Sequence, residues 1–307
     1  MTSATGAEIE AAAGDGWQRQ GVALLAALTG AATVQLVWRA AHVPWAWTSA
    51  KWLGALGLAA LATAALILAA ALLWRRPAMA ACATIRRLDR ALRGSRPALW
   101  GAGIALTLAY PAAVLGPLGD YLSGLFIRLA VFWGIVLVAS YVAAALRNAA
   151  WRLEHAIAAA IALAAVYEAA LLLTGISTYP LSLGWSESSR YYYGSLFFSE
   201  PLYGTRLALP VLHPSRYLLQ SVPFLLPGSP LVVHRAWQVL LWLVVPASAA
   251  WLLARRLSPK ERGLRWWIAG WAALFLFQGP VYYHLLVGVL PVLLGFDARR
   301  ISRTLLL

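Results

Sequence analysis

Cysteine is nearly missing from this 307-residue chain: Cys82 is the only one. A disulfide framework within one chain and a cysteine-based metal site are both excluded, and Cys82 reads as an ordinary loop thiol. Charge is scarce as well. Charged residues make up 12% of the chain, against roughly a quarter in soluble domains, and only 11 are acidic against 25 basic. There is no P-loop, no G-x-G-x-x-G, no H-E-x-x-H and no G-x-S-x-G, so nucleotide-binding, zinc-hydrolase and nucleophile-elbow readings have no support. The first 20 residues carry Glu8, Glu10 and Asp15 with Arg19 as their basic group. They lack the basic and apolar regions of a signal peptide, and residues 1–20 are expected to be a disordered cytoplasmic tail.

What is abundant is apolar sequence. Hydrophobic residues make up 62% of the chain and the mean hydropathy is +0.71. A net charge of +14 would suit nucleic acid, but the arginines sit in short loops between apolar runs. That is the positive-inside pattern of a membrane protein, so no nucleic-acid partner is expected. The runs are Gly21 to Trp38, Trp52 to Trp74, Leu99 to Leu118, Tyr121 to Leu146, Ala156 to Thr174, Leu231 to Ala254, Trp266 to Phe277 and Val281 to Phe296. About 20 residues cross a bilayer, so the expected fold is an all-α, polytopic integral membrane helix bundle of about eight spans. Spans 1–5 occupy residues 21–174 and spans 6–8 occupy 231–307. Arg75, Arg76, Arg86, Arg87, Arg90, Arg93 and Arg96 against the single acid Asp89 place the loop after the second span in the cytoplasm. Counting from there gives a cytoplasmic N-terminus in the cell membrane. Arg299, Arg300 and Arg303 return to the same side, and Thr304 to Leu307 reads as the opening of a further, truncated span.

Between spans 5 and 6 lies the one long polar interval, 175–230, which the count puts on the outer face. Glu187, Arg190, Glu200, Arg206, His213 and Arg216 gather there with six tyrosines from Tyr179 to Tyr217. A stretch too polar to span and too aromatic for open water fits the membrane–water interface. Two interfacial helices are expected. Ser186 can cap the first, whose Glu187, Arg190, Tyr191, Gly194, Ser195 and Phe198 share a face; Glu200-Pro201 ends it and Tyr203-Gly204 turns. The second opens at His213-Pro214, with Pro in the first turn, and runs on through Arg216 and Tyr217. Glu187 and Arg190, at i and i+3, can pair or converge on one ligand. Arg235 stands near the head of the sixth span, where charge is disfavoured unless paired or exposed. Arg128 in span 4 can snorkel or face inward, and Glu168 in span 5 should turn inward.

The series Ser186-Glu187-Ser188-Ser189-Arg190-Tyr191, then Leu202-Tyr203-Gly204, His213-Pro214-Ser215-Arg216-Tyr217 and His234-Arg235 resembles the outer loop of the lipid-phosphate-dependent membrane glycosyltransferases of the GT-C fold. The likeness covers about residues 185–237. Here the loop follows the fifth span rather than the first, and Glu stands where Asp is common. The resemblance implies transfer of a sugar from a polyprenyl-phosphate donor to an acceptor on the outer face. Glu187 would be the general base, with Arg190, Tyr191, His213, Arg216 and Arg235 binding substrate. A carboxylate can take the acceptor proton, and guanidinium groups can hold a departing phosphate. A lipid-linked sugar donor and membrane lipids are then the expected partners; no protein metal site is expected, and the chemistry leaves room for a divalent cation. Two other readings fit the residues: a transporter or flippase-like protein with Arg128, Glu168 and Arg235 along a polar pathway, and a non-catalytic membrane scaffold.

Overall fold

A computed structural model of the chain describes residues 6–75, 94–178, 186–257, 260, 262–279 and 282–295. Arg76 to Arg93 with Cys82, Tyr179 to Trp185, Pro280, and residues 296–307 with the basic C-terminal flank lie outside the described residues. The chain is an all-α, polytopic membrane helix bundle. Among the described residues there is no strand. Among the described residues, six helices are long and apolar enough to cross a membrane. In chain order the helices are α1 (Gly6–Ala41), α2 (Ala50–Arg75), α3 (Arg96–Leu115), α4 (Leu125–Leu146), α5 (Leu153–Thr174), α6 (Glu187–Ser195), α7 (Ser199–Tyr203), α8 (Pro214–Gln220), α9 (Leu231–Leu257), α10 (Arg262–Phe277) and α11 (Tyr283–Gly295).

Two compact units divide within α5, after Leu163. In the first, α1 packs on α2 and α4, and α3 on α4. The helix α2 buries none of its residues in protein, and Leu58, Leu61 and Ile67 are more than half exposed. A continuous apolar surface of that size needs lipid around it. Polar side chains in these helices bond between elements. Thr33 Oγ1 lies 2.9 Å from Thr63 Oγ1, joining α1 to α2. The one strongly polar residue of the first apolar run, Gln35, accepts from the Phe126 N–H at 3.4 Å, one of the first-turn donors that α4 cannot satisfy internally. Arg128 donates through Nε to the Leu122 carbonyl at 2.7 Å, tying its side chain to the turn ahead of α4.

The sequence expectations differ from the structure at the chain's start. The helix α1 begins at Gly6, inside the stretch expected to be a disordered tail. Residues 7–13 read Ala-Glu-Ile-Glu-Ala-Ala-Ala, strong helix formers that extend the span outward. Trp17 is buried, and its Nε1 donates to the Trp151 carbonyl at 3.1 Å. The third span ends at Leu115, earlier than the apolar pattern, because Gly116-Pro117 cannot continue it.

In the second unit α9 packs on α10 and α11, and α6 on α8. With 16 and 13 residues, α10 and α11 reach only about 24 and 20 Å. Both are apolar, and both fall short of the ~30 Å hydrocarbon core. Buried Val239, Leu241, Trp242 and Tyr283 form the core that fixes α9 against α11. The two short helices expected between spans 5 and 6 are present as α6 and α8, each followed by a 3₁₀ turn, Leu196–Phe198 and Val222–Leu225.

Candidate functional site

The helix α6 starts where the sequence signals it, with Ser186 at the N-cap position, but no side-chain capping bond forms. The Ser186 carbonyl is used instead, accepting from the Arg190 N–H at 3.1 Å and from Arg190 Nε at 3.3 Å. Glu187, Arg190, Gly194 and Ser195 are the buried residues of α6. They are four of the six predicted to share its face. Gly194 is where α6 meets α8: a Cβ there would stand 3.5 Å from the backbone carbon of Gln220. Glu200-Pro201 does not terminate the segment, because Pro201 falls in the first turn of α7, where a missing N–H is harmless. Gly204 closes α7 in the left-handed region, φ 73°.

This arrangement carries Glu187 to the head of α9. Glu187 is 2% exposed and Arg235 is 4% exposed. Arg235 Nε donates to Glu187 Oε1 at 2.7 Å, and its NH2 group lies 3.3 Å from Oε2. The Tyr191 hydroxyl donates to the same Oε1 at 2.9 Å. Arg235 NH1 donates to the Thr178 carbonyl at 2.6 Å. Burial raises the Tyr191 phenol above its ordinary pKa, as do its hydrogen bond to Glu187 and the carboxylate charge. It therefore stays a neutral donor at physiological pH. Glu187 thus pairs with Arg235, and its charge also acts on Arg190, its i+3 neighbour.

Arg190 is 4% exposed and stands over the Trp242 ring, 5.7 Å from its centroid. Burial lowers its pKa, and the charge of Arg216 lowers it further. The two guanidinium groups thus repel one another. Arg216 is half-buried, and its Nε is buried without a hydrogen-bond partner among the described residues. Counting Arg190, Arg216 and Arg235 against Glu187, the cluster holds three positive charges and one negative, a local excess of two.

His213 is placed differently. It is exposed, sits in the left-handed region at φ 55° as the residue before α8, and its ring lies 5.1 Å from that of His284. Its backbone role in the turn accounts for its position. Among the described residues no three His, Cys, Asp or Glu side chains assemble as a metal site.

Sequence reasoning passed over four buried side chains beside these charges. Gln220 Nε2 donates to Gln238 Oε1 at 2.6 Å, and Trp242 and Tyr283 close the same region, the Tyr283 hydroxyl donating to the Arg216 carbonyl at 3.3 Å. A signal was present: His234, Gln238 and Trp242 recur every four residues along α9, placing them on one helical face.

Compared with protein-family models, curated proteins and solved structures, the chain matches none of them.

Proposed function

We propose that this protein is a membrane glycosyltransferase that moves a sugar from a polyprenyl-phosphate donor to an acceptor hydroxyl at the outer face of the cell membrane. The observation that carries the reading is the cluster of buried Glu187, Arg190 and Arg235 with half-buried Arg216, with its excess of positive charge and an arginine donor left open at Arg216 Nε. Burying an ion pair costs several kcal/mol per ion before the partners recover it, so such a cluster is a poor way to gain stability alone. An acceptor-rich anion such as a phosphate satisfies both the open donor and the repulsion between Arg190 and Arg216.

The roles follow from position. Arg190 and Arg216 take the phosphate. Arg235 and Tyr191 hold the Glu187 carboxylate in one orientation, and Arg235, expected from sequence to bind phosphate, becomes a positioning residue. The acceptor hydroxyl gives its proton to Glu187 while its oxygen bonds to the anomeric carbon. The bond from that carbon to the phosphate oxygen breaks, and its electron pair leaves on the phosphate, where the two arginines meet the developing charge. The transporter reading draws on Arg128, Glu168 and Arg235; of these, Arg128 Nε is bonded to the Leu122 carbonyl and Arg235 to Glu187.

The reading is tested with the purified full chain in lipid nanodiscs. A polyprenyl phosphate should bind saturably to the unaltered protein, and Arg216→Ala should weaken that binding by about tenfold or more, the scale of one charge-assisted bond. Equal binding by both proteins would contradict the assignment of the phosphate to this cluster.

A further inference from the structure

Beside the charges lies a set of buried polar atoms that an anion does not explain. Gln220 is 3% exposed, Gln238 is 1% exposed and Trp242 is 5% exposed. The two amides bond to each other through Gln220 Nε2 and Gln238 Oε1. This leaves Gln220 Oε1, Gln238 Nε2 and Trp242 Nε1 buried without hydrogen-bond partners among the described residues. Leaving such groups unmet costs about 1–3 kcal/mol each, and the amide pair with Trp242 one turn further along α9 calls for a common occupant. Reversing both amides changes nothing in kind: one NH2 donor and one carbonyl acceptor still remain open. The residues are held in place from outside. Trp237 Nε1 donates to the Leu219 carbonyl at 2.7 Å, tying α8 to α9, and Gly194 lets α6 approach the Gln220 backbone.

The chemistry of the open set is specific. It offers two N–H donors and one carbonyl acceptor in an apolar surround. A phosphate accepts hydrogen bonds and, fully ionised, donates none, so it cannot satisfy Gln220 Oε1. A hydroxyl both donates and accepts. A group bearing several hydroxyls on a compact ring meets a donor–acceptor–donor set. Gln238 and Trp242 are one helical turn apart on α9, about 6 Å along the axis, which is the width of a pyranose. Arg190 over the Trp242 ring joins this set to the arginine pair.

We infer that Gln220, Gln238 and Trp242 form a hydroxyl-reading subsite that holds the sugar ring of the donor, next to the arginines that hold its phosphate. The inference rests on the transferase reading, since that reading supplies a ligand carrying both groups. It adds the residues that distinguish a glycosylated carrier from a bare one.

The test compares two probes on the full chain in nanodiscs: a radiolabelled polyprenyl phosphate without sugar, and the same lipid phosphate carrying glucose, mannose, N-acetylglucosamine or arabinose. The unaltered protein should bind at least one glycosylated lipid about tenfold or more tightly than the bare one, the scale of one buried hydrogen bond or more. Gln238→Leu should abolish that preference while leaving the affinity for the bare lipid unchanged, and that retained binding shows the variant is folded. Trp242→Phe keeps an aromatic ring but removes the pyrrole part of the indole with its N–H, so it should reduce the preference severalfold. Binding of the bare lipid with no preference for any sugar would overturn the subsite and leave the phosphate site standing; the buried atoms would then hold water only. Loss of affinity for both lipids to the same degree in a folded Trp242→Phe variant would overturn it also. Failure of the unaltered protein to bind either lipid would overturn the subsite together with the transferase reading.

Discussion

Arg235, five residues into the long helix α9, reaches back 48 residues in sequence to grip Glu187, with Nε 2.7 Å from Oε1. The bond fixes the start of α6 against the head of a membrane-spanning helix. The Tyr191 hydroxyl and the Thr178 carbonyl complete the grip.

Breaking one side of this pair should be costly. Glu187→Ala strands a buried guanidinium, and Arg235→Ala strands a buried carboxylate; each should destabilise the protein by about 3–5 kcal/mol. The double variant Glu187→Leu with Arg235→Met strands neither charge and should be closer to the unaltered protein than either single change. Thermal unfolding in detergent measures this. A double variant as unstable as the sum of the singles would show that the two side chains do not act as a pair.

Tyr191 gives a pH signature with a definite sign. Its phenol is raised above the ordinary value of about 10, so the folded state holds the proton more tightly than the unfolded chain. The stability it contributes is complete below about pH 10 and is lost as pH rises through the folded-state value. Tyr191→Phe should lower stability by about 1.5–3 kcal/mol at pH 7, the scale of a hydrogen bond to a charged group. The gap between the two proteins should narrow above pH 10. A gap that widens with alkali would reverse the assignment of donor and acceptor.

The contact between α6 and α8 is tuned to a small residue. A Cβ at Gly194 would meet Gln220 backbone at 3.5 Å, ordinary van der Waals contact. Gly194→Ala should therefore be neutral or stabilising by up to about 1 kcal/mol, since alanine favours a helix over glycine. Gly194→Leu adds branched carbons against that backbone and should destabilise by about 1–3 kcal/mol. Unfolding midpoints of the two variants decide it, and equal tolerance of leucine would mean that the helices are not packed here.

Much of this architecture was legible in residue order, because hydropathy reports what a helix can bury in lipid and little else. The apolar runs gave the long helices, and the mixed interval 175–230 yielded α6 and α8 at Glu187 and Pro214, since Ser186 and His213-Pro214 mark helix starts. The face of α6 followed from 3.6-residue periodicity. What residue order could not give was the choice of partner. Glu187 has Arg190 three residues away, but its ion pair with Arg235, 48 residues on, forms only when the chain folds α6 back onto α9. Gln220 and Gln238 are 18 residues apart and meet only in three dimensions. The helical start of α1 was hidden by its acidic residues, which read as a solvated leader although alanine dominates the stretch.

Orientation in the bilayer is tested by chemical access. With Cys82 replaced by alanine, Val211→Cys and Lys260→Cys lie on either side of α9, whose 27 residues span about 40 Å. Val211 is 92% exposed, which makes it a good reporter. A membrane-impermeant maleimide added outside intact cells should label the Val211→Cys protein and not the Lys260→Cys protein. The opposite pattern would put the Glu187 cluster on the cytoplasmic side.

The most direct test of the account is turnover. The full chain in liposomes is given a polyprenyl phosphate carrying a radiolabelled sugar, and release of the bare lipid phosphate is followed with the label moving to an acceptor. The account predicts that the unaltered protein transfers the sugar. It also predicts that Glu187→Gln, which keeps the shape and loses the basic oxygen, binds the donor normally yet slows transfer by about 10²–10⁴. Full activity of Glu187→Gln would contradict the account, because the cluster would then be a structural clamp and Glu187 no base.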